Sequence, residues 1–185
     1  MADARVMIRV MQPGMLTTVQ DLGRPGLARF GVSTGGALDR GALILGNRLV
    51  GNEPGATGLE ITLLGPELCF TAPAVIALTG ADLGARVNDT PVPSWQPVAM
   101  PAGGTLTFRP GSSSGVRAYL CVAGGINVNP VLGSRSTDLS GGFGGSDGRS
   151  LQRGDELAVE PASQPLARLL TRRVAAPPPA IEPEL

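Results

Sequence analysis

The sequence has 185 residues, 42% of them hydrophobic and 16% charged, with 15 basic and 15 acidic side chains and no histidine. That is enough chain for one soluble domain with a real core, and the balanced charge points away from nucleic acid or a membrane surface as partner. Every cation is arginine, which excludes within this chain a Ser-His-Asp triad, a Schiff-base or P-loop lysine and any histidine-ligated metal site.

Glycine (27 residues) and proline (17 residues) are abundant, and with this apolar content they indicate many turns between short strands. Cys69 and Cys121 lie in apolar, strand-like runs. Buried free thiols are expected rather than a disulfide or a nucleophile, since no histidine base exists. No apolar run is long enough to span a bilayer and no leader pattern opens the sequence, so a cytoplasmic protein is expected.

In chain order, residues 6–11 and 15–19 read as strands around the Pro13-Gly14 turn. The next segment, QDLGRPG (20–26), reads as a turn in which Asp21 and Arg24 either pair with each other or leave Arg24 to hold a carboxylate or phosphate. FGVSTGG (30–36) is a glycine loop carrying Ser33 and Thr34, and it leads into the main predicted helix, 38–50, with apolar residues at 38, 42, 45 and 49. Gly35, Gly36 and the first-turn amides form a candidate anion site; Asp39 in that first turn equally fits a purely structural role.

Beyond 57 the pattern is all-β: 59–64, 67–71, 74–78, 85–87, a short strand around Trp95, Val98 and Met100, then 105–109, with a hairpin turn at Asn88-Asp89-Thr90. Asp82 either caps the turn after 78 or faces a site. Residues 116–122 alternate as a strand that Gly124-Gly125 breaks, and a long loop to 145 follows. This loop holds Arg135, Ser136, Thr137 and Asp138 among four glycines and several apolar anchors, the composition of an ordered loop at a site. A last strand, 156–159, ends the body near 160, and 161–185 reads as a Pro/Ala-rich linker or tail. The sum is mainly β, a closed or nearly closed barrel with one main helix.

Taken together, QDLGRPG (20–26), STGG-ALD into GNRLVGN (33–52), LEITLLGPEL (59–68), LTGADLGA (78–85), RAYLCVAGGI (117–126), VLGSRSTDLSGGFGG (131–145) and GRSLQRGDEL (148–157) resemble the KipA family. That family is also called allophanate hydrolase subunit 2, biotin-dependent carboxyltransferase subunit, or the C subunit of 5-oxoprolinase. The resemblance implies a cyclophilin-like β-barrel and a second region of similar size beyond the Pro-rich point. It implies a KipI-like partner (the B subunit of 5-oxoprolinase), a LamB/YcsF-type A subunit, and ATP-dependent opening of 5-oxoproline to glutamate. In fused relatives it implies carboxyl transfer from biotin on a partner to urea, and a third possibility is a non-catalytic KipA-type regulatory module.

Each of these chemistries needs an anion holder, oxyanion donors and carboxylates. By residue type, Arg24, Arg40 and Arg135 are the anion holders, and the amides of Gly35-Gly36, Gly124-Gly125 and Gly141-Gly142 are the oxyanion donors. Asp21, Asp82 and Asp138 are the loop carboxylates, and Ser33 belongs to the substrate-facing set. Arg135, Ser136, Asp138 and Asp82 are the catalytic candidates. No Walker segment, lysine or Mg²⁺-spaced acidic pair is present, so ATP is assigned mainly to a partner or a second half, and no metal is expected. An isolated half-chain is expected to be inactive.

Overall fold

Short apolar runs punctuated by glycine and proline become twelve short strands in the computed structural model, which describes residues 6–109 and 115–174. β1 (Met7–Gln12) and β2 (Leu16–Gln20) precede a helix, α1 (Arg40–Leu49). β3 (Gly58–Thr62), β4 (Glu67–Phe70), β5 (Ala74–Gly80), β6 (Ala85–Val87) and β7 (Thr90–Pro91) follow. Then come β8 (Pro97–Met100), β9 (Thr105–Phe108), β10 (Arg117–Val122), β11 (Ile126–Asn127), β12 (Glu156–Val159) and a short α2 (Leu166–Leu169). The chain is mainly β with one main helix, as the sequence indicates.

The strands form two antiparallel sheets, one ordered β11-β12-β1-β4-β9-β6-β7 and the other β2-β3-β10-β5-β8. Their facing sides enclose the larger core, with Ile8, Leu68, Phe70 and Leu106 from the first sheet against Leu59, Ile61, Ile76 and Leu120 from the second. The β6–β7 hairpin turns through Asn88 and Asp89, both left-handed (φ 47° and 62°), the conformation that a two-residue hairpin turn requires.

α1 covers the outer face of the second sheet. This explains why β10 is buried on both sides: Ala118, Leu120 and Val122 face the large core, while Tyr119 and Cys121 lie under the helix. The helix departs from the predicted stripe. It starts at residue 40 behind an Asp39 cap, Leu38 is 72% exposed, and its buried face is Ala42, Leu43, Gly46, Asn47 and Leu49. Trp95 is likewise no strand residue but sits in a left-handed turn before β8 (φ 63°) and packs against the helix-side core. β11 falls inside the stretch that carries no strand period.

The change of character near 160 does not detach the residues beyond it. Leu169 of α2 is buried in the helix-side core, and Arg172 donates to the Arg48 carbonyl at 2.6 Å. The Pro-rich segment from 175 onward lies outside the described residues. Both cysteines are free; Cys121 is buried, whereas Cys69 is only half-buried, contrary to the expectation for it.

At Gly46 the helix lies close against the sheet: a β-carbon there would lie 2.8 Å from Cys121 Sγ and 3.0 Å from Thr79 Oγ1. In an exposed helix Gly→Ala gains about 1 kcal/mol. Here the helix would have to move off the sheet, so Gly46→Ala is expected to lower the urea midpoint. Adding Cys121→Ala should return part of that loss, a non-additivity that a double-mutant cycle measures.

Candidate functional site

The two loops singled out in the sequence, 20–26 and 131–145, are one unit. Asp21 does not pair with Arg24; its carboxylate accepts from Gly23 N (2.7 Å), Ser134 Oγ (2.6 Å) and Arg135 N (2.6 Å). Arg24 is fully buried, its Nη2 donates to the Ser136 carbonyl at 2.5 Å, and its guanidinium lies 4.8 Å from the centre of the Phe143 ring. Its Nη1 lies 3.9 Å from Asp138 Oδ2. A buried guanidinium needs acceptors and an opposite charge; loop 131–145 supplies one carbonyl and the nearby Asp138 charge, while Nε and Nη1 stay buried without a hydrogen-bond partner among the described residues. Loop 30–36 closes on the same unit through Gly36 (φ 86°), where a β-carbon would lie 2.7 Å from the backbone of Gly23.

These loops frame a cleft of about 230 Å³ on the outer face of β2, β3 and β10, lined by polar groups including Thr18, Gln20, Ser33, Glu60, Arg117 and Asp138. Leu16 and Leu139 supply apolar wall. Asp138 accepts from Ser33 Oγ at 2.6 Å and from Gly141 N at 2.9 Å. The Ser33 hydroxyl first, then the Gly141 amide and Arg24, hold its carboxyl below the ordinary carboxylate value. Glu60 is buried and held by three donors: Arg117 donates to Oε1, while Tyr119 Oη and Leu38 N donate to Oε2 at 2.8 Å each. Burial, with the Glu60 charge adding to it, pushes the Tyr119 phenol well above its usual range, so it stays a donor.

A larger open groove of about 660 Å³ lies on the other side of the loop, against β11 and β12. Its lining holds two carboxylates, Asp147 and Glu156, and no cation. Of these two spaces, the smaller cleft is the one that brings cation, hydroxyls and carboxylates together among the described residues, and it is therefore the candidate site.

Of the residues named from the sequence, Ser33, Gly35 and Asp138 line this cleft. Ser136 is buried behind it, its Oγ 2.7 Å from Ser134 Oγ, and Asp21 and Arg24 tie the loops together. Arg135 points elsewhere, its Nε donating to the Val128 carbonyl at 2.8 Å. Asp82 is exposed and caps its own turn through Gly84 N (2.9 Å). Arg40 is exposed at the start of α1.

Several proposed oxyanion donors are already used inside the fold. Gly124 N donates to Asn52 Oδ1 and Gly125 N to the Val122 carbonyl. Gly141 N and Gly142 N donate to Asp138. At the start of the helix, Leu38 N, Asp39 N and Ala42 N are likewise used by the protein's own groups, going to Glu60, Tyr119 and Asp39. Thr18, Gln20, Glu60 and Arg117 were missed. The signal for them was polar residues placed inside strands: a carboxylate at Glu60 in a run of buried type, and a cation at the head of β10.

Residues 30–184 match the model of the family described as carboxyltransferase domain, subdomain A and B. The chain belongs to this family. It is 48% identical over 154 residues to the C subunit of 5-oxoprolinase from Escherichia coli K12, covering 83% of this chain and 49% of that protein. It is 44% identical over 154 residues to a putative urea carboxylase of Emericella nidulans, covering 82% and 12% respectively. The crystal structure of the K. lactis urea amidolyase superposes with a TM-score of 0.81 at 38% identity, over 98% of this chain and 11% of that one. The chain thus spans about half the length of the 5-oxoprolinase C subunit and a small part of the fused enzymes. Among the described residues no helix is long and apolar enough to cross a membrane.

Two predictions test the framing of the cleft. Asp155, like Asp138, is held below its ordinary value of 3.8, in its case first by the bidentate Arg149 at 2.7 and 2.9 Å. Both favour the folded state when ionised. Stability is therefore complete above about pH 4 and falls as the pH drops through the lowered values. Urea midpoints across that range should show it, with a shallower acid limb in Asp138→Asn. Separately, Asp21→Ala leaves Ser134 Oγ and Arg135 N without their acceptor, so amide exchange in 131–145 should rise well before exchange in β10 does.

Proposed function

We propose that this chain is the cleft-bearing part of a 5-oxoprolinase C subunit, acting in the ATP-dependent conversion of 5-oxoproline to glutamate. The observation that carries this reading is the 48% identity to the 5-oxoprolinase C subunit over 83% of the chain. The cleft is consistent with it: about 230 Å³ is roughly eight waters' share of volume, room for a small polar ring. Two anchored carboxylates, hydroxyls and one cation face that space.

In this reading the chain's residues bind and orient the lactam. Ser33, fixed by its bond to Asp138, and Thr18 present hydroxyls to the ring, while Leu16 and Leu139 shield it from water. ATP is not assigned to this cleft. A triphosphate calls for several cations, whereas the lining offers one, Arg117, beside two carboxylates. The nucleotide is assigned to partner proteins, a KipI-like B subunit and a LamB/YcsF-type A subunit, and no step is routed through it.

The test is 5-oxoproline-dependent glutamate formation with ATP, using the chain co-expressed with its genomic neighbours and any second region of the C subunit. Glutamate appearing only with all components, and falling about tenfold or more in Ser33→Ala, is the expected result. A stably assembled set that makes no glutamate overturns the reading. A second reading, carboxyl transfer from biotin on a partner to urea, is favoured by the family's description and by the 44% identity to a putative urea carboxylase. Urea-dependent turnover with a biotin carboxylase partner distinguishes it.

A further inference from the structure

The cleft contains one cation, and the geometry points to a specific use for it: we infer that Arg117 is the carboxylate-anchoring residue of the site, so that the cleft selects a small monocarboxylate over a neutral amide. Arg117 opens β10 and lines the cleft, and its side chain is 30% exposed in a wall whose other ionised groups are nearly buried. Its Nη1 is spent on Glu60 Oε1 and on Thr62 Oγ1 (3.1 Å). Nε and Nη2 have no partner among the described residues, and neither is among the sealed, unpartnered atoms of the interior. An arginine held by one nitrogen, with the rest of its fork open, is preorganised for bidentate pairing with a carboxylate.

The surroundings decide which anion. Neither neighbouring carboxylate can turn to take the open edge, because Glu60 is held by Arg117, Tyr119 and Leu38 N, and Asp138 by Ser33 and Gly141. Both nevertheless leave negative charge around the space. A phosphate dianion would meet two carboxylates with one arginine to offset them, whereas a monoanion carrying N–H or O–H donors meets one cation and two acceptors. The hydroxyls of Thr18 and Ser33 and the apolar surface of Leu16 and Leu139 complete a lining for a compact, partly apolar acid. Urea lacks the group that Arg117 would read.

The inference rests on the 5-oxoprolinase reading for its choice of probe and is tested apart from turnover. The 185-residue chain is titrated calorimetrically with 5-oxoproline, with 2-pyrrolidinone (the same ring without the carboxylate) and with inorganic phosphate. The expected result is saturable binding of 5-oxoproline that weakens about tenfold or more in Arg117→Gln, is partly retained in Arg117→Lys, and exceeds that of 2-pyrrolidinone and phosphate.

Because Arg117→Gln leaves Glu60 without its partner, Glu60→Gln/Arg117→Gln serves as a second variant in which two amides can pair. It should fold and still show the loss. Equal binding of 5-oxoproline and 2-pyrrolidinone, unchanged affinity in folded Arg117→Gln, or no saturable 5-oxoproline binding by the folded wild-type chain would each overturn the inference. In the assembled complex, Arg117→Lys should raise KM more than it lowers kcat, which a merely structural role would not produce. Carboxylate-selective binding without glutamate formation would sink the oxoprolinase reading and leave the role of Arg117 standing.

Discussion

The arrangement depends on a single buried carboxylate. Glu60 sits in the middle of β3 with 6% of its surface exposed, where an unpaired charge would be costly. Its solution draws three elements together: a phenol and a guanidinium from β10 and the backbone N–H of Leu38 just before α1. Tyr119 in turn accepts from Asp39 N, and Asp39 caps the helix through Ala42 N. One chain of donors and acceptors thus fixes where the helix begins, how it sits on the sheet and where the cleft's cation is held. Removing Glu60 would loosen all three, because the fully buried Tyr119 phenol, the partly buried Arg117 and the Leu38 N–H would each lose their acceptor.

A second buried charge does the same for the loops. Arg24 is enclosed between Ser136, Phe143 and Asp138, which makes a 15-residue glycine-rich segment into a fixed wall. Such a segment has little apolar area of its own with which to offset its ordering entropy. The offset comes from charge-assisted bonds to Arg24 and Asp21, both in the turn at 20–26. The wall that frames the cleft is therefore stabilised by residues more than 100 positions earlier in the chain.

Strand existence was legible because alternation and glycine punctuation are local signals, and ten of the strands fall where the pattern puts them, within a few residues at their ends. β7 and β11 were not, since two residues carry no period. The helix stripe was misplaced because Leu38 looks like a first core residue, whereas the Asp39 cap starts the helix after it and turns Leu38 outward. In the site, residue type pointed to the right loops, but roles depended on which way each side chain faces. Arg135 and Arg24 are equivalent in sequence terms; one bonds a surface carbonyl and the other is sealed inside. Glu60 and Arg117 were passed over because a strand residue is assumed to be scaffold. Only the pairing register, which sets Arg117 opposite Thr62 and Tyr119 opposite Glu60, brings them to one face.

The position of β2 has a consequence for solubility. β2 is an edge strand, and an uncovered edge is a template for pairing with another chain. The segment after β11 lies along it: Thr137 donates both N and Oγ1 to the Val19 carbonyl, and Leu151 N donates to the Thr17 carbonyl. The loop that walls the cleft is thereby also a guard against intermolecular strand addition. Changes that free it, whether made to retune the cleft or to probe it, carry aggregation as a built-in side effect, and a loss of soluble protein in such variants has a cause separate from any loss of binding.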